Sequence, residues 1–111
     1  MNCEPAPAAD CPAAQPLAAG LAALAHPARI EILCHLAGCG GCGCMQVVER
    51  MDLAQSTVSQ HLKVLVEAGL VRAAPRGQRL RYTVDRAALS ALAGAFSDLA
   101  GRCCRRHDAS A

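Results

Sequence analysis

Between Leu53 and Gly69 a single run of residues carries two opposed stripes, and few folds have a use for both. Val58, Leu62 and Leu65 recur at i, i+4 and i+7, the apolar face of a helix seated on a core. Ser56, Ser59, Gln60 and Lys63 repeat that spacing on another side, all of them polar. Such a helix packs with one face and offers short hydrogen-bonding groups with the other. Gly69 stands where a C′ residue would end it.

A hairpin is expected next: Val71 to Pro75, a turn at Arg76-Gly77, and a return strand from Gln78 to Val84. In the return strand Leu80, Tyr82 and Val84 face one way, and Arg79, Arg81 and Thr83 the other. Upstream, Leu17, Leu21 and Leu24 suggest a short first helix, and Pro27 is placed to open a second. Along the second, Ile30, Leu33, Cys34 and Ala37 read as one buried stripe. The glycine-rich run from Gly38 to Gly43 reads as a loop, and a third helix covers about Met45 to Met51. A last helix runs from about Arg86 to Arg102. Its Leu89, Leu92, Phe96 and Leu99 form a coiled-coil-like seam flanked by alanines. The expected fold is mainly α with a small β-hairpin, ordered α1-α2-α3-α4-β-β-α5. A basic two-stranded projection directly after a polar-faced helix describes a winged helix-turn-helix.

The 111 residues suffice for one domain. Of them 24 are alanine and only Tyr82 and Phe96 are aromatic, so each buried side chain contributes little area. That thin core points to a homodimer with Leu89, Leu92, Phe96 and Leu99 at its interface. Residues 1–16, with four prolines, read as a disordered arm, 17–104 as the DNA-binding and dimerisation domain, and 105–111 as a flexible tail. Residues 1–53 carry two Arg against five Asp/Glu, whereas 54–111 carry nine Lys/Arg against four Asp/Glu. A polyanion would therefore meet the second half. No export signal or membrane span is read, so a cytoplasmic protein without a membrane partner is expected. Eight cysteines in such a chain suggest soft-ion binding or oxidant sensing in preference to a disulfide framework.

These motifs resemble the ArsR/SmtB family of bacterial winged-helix repressors. The resemblance is carried by Ala25-His26-Pro27-Ala28-Arg29-Ile30-Glu31-Ile32-Leu33, by Leu53 through Leu65, by Ala68-Gly69-Leu70-Val71, and by Arg79-Leu80-Arg81-Tyr82. It implies a homodimer that binds operator DNA and leaves it when an inducer binds. Two recognition helices would enter successive major grooves of an inverted repeat, about 34 Å apart. Gln55, Ser56, Thr57, Ser59 and Gln60 are the base-edge or phosphate candidates, Lys63 a phosphate contact, and Arg76, Arg79 and Arg81 the wing contacts. Relatives often have Ser where Ala54 stands, so this helix start lacks a good cap.

The inducer is read from the side chains available. Between Arg86 and Arg102 there is no His and only Asp98, so the family's Asp/His zinc-type site is absent. His26 and His61 read as structural. Cys103-Cys104 resembles the vicinal pair of arsenic-responsive members and is expected at a fraying helix end. Two such thiolates suit a soft pyramidal centre such as As(III), methyl-As(III) or Sb(III); no organic cofactor is implied. Relatives often add a third cysteine downstream, where this chain has only His107. Cys42-Gly43-Cys44 resembles a second arsenic site, with Val47 where its third cysteine would stand and Cys39 as the substitute. Cys34 reads first as a buried small hydrophobe, and otherwise as a redox partner of Cys103, as in persulfide-sensing members. A Cd/Zn sensor ranks lower, as does a dithiol oxidoreductase built on Cys39-Gly40-Gly41-Cys42, whose βαβ setting is missing. The chain is not expected to be an enzyme.

Overall fold

A computed structural model describes residues 14–110, with side chains through residue 104. The elements are α1 (Ala14–Leu24), α2 (Pro27–Cys39), α3 (Cys44–Arg50), α4 (Gln55–Glu67), β1 (Val71–Arg76), β2 (Arg79–Val84) and α5 (Arg86–Ser110). The winged helix-turn-helix order is the expected one. Most of the expected arm lies outside the described residues, but α1 already begins at Ala14, inside it. The last helix is longer than its sequence pattern indicates. It runs through the segment read as a tail, because residues after Arg102 lose the apolar seam without any helix breaker.

The core gathers where α2, α3 and α4 meet. Ile32, Leu36, Val47, Val58, Leu62, Leu65 and Val71 are all essentially inaccessible to solvent. The α4 stripe is as expected; the α2 stripe is not. Ala28, Ile32, Leu33 and Leu36 are buried, whereas Ile30, Cys34 and Ala37 are exposed. Both sets have helical spacing on a helix apolar nearly all round, so periodicity alone could not choose between them. The choice was made by which face meets α4. Exposure of Cys34 removes its reading as a core residue.

Helix ends follow local chemistry. The His26 Nδ1 accepts the Ala28 N–H at 3.1 Å, with Pro27 in the first helical position, so His26 is the N-cap of α2. Ala54 precedes α4 with no side-chain cap. At the other end of α4, Gly69 adopts φ 82°, the Leu70 N–H reaches the Leu65 carbonyl and the Gly69 N–H the Val66 carbonyl. That is a Schellman closure, and it delivers buried Leu70 and Val71 into the core at the start of the wing.

The wing is an antiparallel pair in which Val71 faces Val84 and Arg76 faces Arg79. Its turn is Gly77-Gln78, one residue beyond the position expected from the sequence. Gly77 has φ 65° and no non-glycine residue among the described residues has positive φ, as a turn with glycine in its first central position requires. Asp85 then starts α5: its Oδ1 accepts the Ala88 N–H and its Oδ2 accepts from Arg72 Nε, both at 3.0 Å. These two hydrogen bonds, the backbone one first, hold its carboxyl below the ordinary carboxylate range.

Candidate nucleic-acid interface and thiol sites

The position of α4 is set from its buried side. Val58, Leu62 and Leu65 anchor it, and His61 lies among them at 9% exposure. The Arg29 Nε donates to His61 Nδ1 at 3.1 Å, and the His26 ring lies 4.5 Å from the His61 ring. Arg29 Nη1 also reaches the Ala22 and Ala23 carbonyls, each at 3.4 Å. One guanidinium therefore ties the end of α1, the start of α2 and the middle of α4. Burial, then the nearby His26 and Arg29, lower the His61 pKa and favour the neutral ring that can accept this bond. The structural reading of both histidines holds. Arg29 was missed as a positioning residue, because nothing in its sequence neighbourhood points to a partner 32 positions away.

On the opposite face of α4, Gln55, Ser56, Thr57, Ser59, Gln60 and Lys63 are all exposed, a row of donors and acceptors. Beside it the wing presents Arg76 and Arg79, exposed and directly paired across the hairpin end. Arg81 differs from them: its Nη2 donates to the Gly40 carbonyl at 3.0 Å, so in the free protein it is turned toward the α2–α3 loop. Leu80 shares the side of β2 that carries Tyr82 and Val84 but is not covered as they are. It is 46% exposed and lines a groove with Met45, Gln46, Arg76 and Arg79, while Tyr82 and Val84 pack on the core.

The thiols occupy two regions. In the α2–α3 loop, Cys39 and Cys42 are joined as a disulfide, so they are not two free thiolates in this structure. Cys44 remains a free thiol, with its Sγ 3.5 Å from the Ser59 Oγ on the recognition helix. The expected convergence of Cys39, Cys42 and Cys44 on one ion is not what the fold shows. Glycines made that convergence sterically accessible, and the same freedom lets the Cys39 and Cys42 sulfurs bond to each other and leaves Cys44 out. Among the described residues no three His, Cys, Asp or Glu side chains form a ready-made metal site.

In the second region Cys103 and Cys104 are free and exposed. They lie within α5 and not at its end, so adjacent side chains point about 100° apart around the axis. Upstream on the same helix the expected interface divides. Leu89 and Leu92 pack on the core of their own chain, whereas Phe96 is 51% and Leu99 37% exposed. No single helix among the described residues is long and apolar enough to cross a membrane.

A polar-faced helix set on a three-helix core, followed by an arginine-tipped hairpin, defines a winged-helix DNA-binding module. The model of the family described as bacterial regulatory protein, arsR family, matches residues 26–73. The chain is 34% identical over 79 residues to the HTH-type transcriptional regulator YgaV of Escherichia coli, covering 71% of this chain and 80% of that one. It is 39% identical over 70 residues to the biofilm growth-associated repressor of Agrobacterium fabrum, covering 61% and 59%. An ArsR-like transcriptional regulator from Rhodococcus sp. RHA1 superposes with a TM-score of 0.77 at 27% identity, covering 86% of this chain and 90% of that one. The chain belongs to the ArsR family of winged-helix DNA-binding transcription regulators.

Proposed function

We propose that this protein is a homodimeric repressor that binds an inverted-repeat operator and leaves it when trivalent arsenic, or a related thiophilic centre, is captured by Cys103 and Cys104. The observation that carries the reading is the state of that pair: two free, exposed thiols on the helix that also exposes Phe96 and Leu99. The exposed Phe96, Leu99 and Leu21 supply an apolar surface for a second copy. In the dimer, Gln55, Ser56, Thr57, Ser59 and Gln60 face the major groove, Lys63 a phosphate, and the wing arginines the flanking backbone or minor groove.

The helix geometry suggests how release works. Adjacent side chains diverge by about 100° around an intact helix, so chelation by both sulfurs favours a conformer in which the last turns of α5 open. That distortion reaches the dimer seam above it and changes the spacing of the two recognition helices. A coupling of about 3 kcal/mol corresponds to more than a hundredfold loss of operator affinity. Linkage demands the reciprocal effect, with operator DNA weakening arsenite binding equally.

The test is operator binding titrated with arsenite, methylarsenite, antimonite, Cd(II) and Zn(II), with helicity followed by circular dichroism. The Cys103→Ser/Cys104→Ser variant should keep operator binding and lose both the release and the helix opening. If that variant still releases DNA on arsenite, the assignment fails. A second reading is supported by the exposure of Cys34: an oxidant or persulfide sensor that joins Cys34 to Cys103. A Cys34–Cys103 cross-link in peptide mapping after persulfide treatment, lost with DNA release in Cys34→Ser, would select it.

A further inference from the structure

The α2–α3 loop is fastened to the wing at three points, and the disulfide closes the loop behind them. Cys42 and Tyr82 exchange backbone hydrogen bonds, Cys42 N–H to the Tyr82 carbonyl at 3.0 Å and Tyr82 N–H to the Cys42 carbonyl at 2.8 Å. Arg81 Nη2 donates to the Gly40 carbonyl. Gly41, at φ 119°, lies so close to β2 that an added Cβ would stand 2.6 Å from Thr83 Cγ2. Cys42 thus acts as a short third strand beside the hairpin, and its side chain is bonded to Cys39 at the end of α2. Breaking that bond would leave the bridging residue on a glycine-rich tether.

The two sulfur positions are unequal in access. Cys39 is exposed, whereas Cys42 is 4% exposed and belongs to the core cluster. An external reagent reaches the first; the second is placed to resolve the product within the chain.

We propose that Cys39 and Cys42 form a reversible dithiol–disulfide site, oxidised by a low-molecular-weight disulfide, whose state sets how firmly the wing is held on the body of the protein. In the oxidising direction the Cys39 thiolate attacks one sulfur of the small disulfide, forming a mixed disulfide and expelling one thiolate. The Cys42 thiol loses its proton, attacks the Cys39 sulfur and expels the second. Two electrons and two protons pass to the reagent, leaving one protein disulfide and two small thiols. A dithiol reductant reverses the sequence. The oxidised chain presents Arg76 and Arg79 on a fixed wing; the reduced chain presents them on a looser one. This inference needs the wing but not the inducer assignment, because neither cysteine belongs to the Cys103–Cys104 pair.

The Tyr82 amide reports the state directly, since its proton is the one donated to Cys42. Full-length protein is oxidised with glutathione disulfide or reduced with dithiothreitol, mapped by mass spectrometry, and followed by hydrogen exchange. Reduction should speed Tyr82 exchange by about tenfold or more, and Cys39→Ser, at an exposed position, should be fast under both conditions. Gly41→Ala should exchange quickly even when oxidised, because its Cβ displaces Thr83 with the disulfide chemically intact. The Cys103→Ser/Cys104→Ser variant should retain the full redox difference. Equal Tyr82 protection in oxidised and reduced wild type overturns the proposal. So does glutathione disulfide treatment that leaves Cys39 and Cys42 unlinked, or a redox difference that disappears with Cys103 and Cys104.

Discussion

Arg29 and His61 meet across 3.1 Å, with the guanidinium of α2 donating to the buried imidazole of α4. A protonated ring would have no lone pair at that nitrogen, and it would place a second positive charge beside the Arg29 guanidinium. The recognition helix is therefore held by a contact that depends on His61 being neutral.

Its pH dependence has a definite sign. The folded-state pKa of His61 lies below its ordinary value of 6.5, chiefly through burial. The unfolded chain thus binds more protons between those two values, and stability falls as pH drops through that window. Urea unfolding between pH 7.5 and pH 5 should show this loss, and His61→Gln should flatten it. Arg29→Ala should cost about 1–3 kcal/mol by leaving a buried acceptor unpaired.

Ala54 offers a gain in place of a loss. It precedes Gln55 with no side-chain cap, and Ala54→Ser can supply the missing acceptor. The substitution should raise stability by about 1 kcal/mol, read as a higher urea midpoint at unchanged slope.

Two wing arginines should behave differently. Arg79 is exposed at the hairpin end, so Arg79→Ala should weaken binding to all duplexes and reduce the salt-dependence slope by about one. Arg81 is held on Gly40, so Arg81→Ala should also speed Tyr82 exchange in the free protein, an effect Arg79→Ala should lack. Salt titrations together with hydrogen exchange separate the two roles.

On α5, Phe96 contributes surface that its own chain leaves half uncovered. Phe96→Glu should shift sedimentation toward monomer and lower operator affinity, with helical content retained. Leu62→Ala, by contrast, removes a fully buried side chain and should cost about 2–5 kcal/mol of folding stability.

The fold was legible because several local signals agreed. The two stripes of α4, Pro27 at the opening of α2, Gly69 at the end of α4 and the alternation in β2 each depend on neighbours a few positions away. The exposed polar face came with them, since burying Val58, Leu62 and Leu65 forces Ser56, Ser59, Gln60 and Lys63 outward. The thiol arrangement was far less legible. Adjacency made Cys103 and Cys104 look like a chelating pair at a helix end, but the helix continues past them and turns their side chains apart. Clustering likewise suggested three thiolates at Cys39, Cys42 and Cys44, whereas two of them are bonded together.

The order of elements, the exposed polar face of α4 and the positive tip of the wing follow from sequence alone, because helical and strand periods are local properties of the chain. Which face of α2 is buried, where Arg29 and Arg81 are directed, and that Cys42 joins the wing through Tyr82 were decided only in three dimensions. Each of those choices balances nearly equivalent local options against contacts between residues 32 to 41 positions apart, and such contacts exist only once the helices have packed.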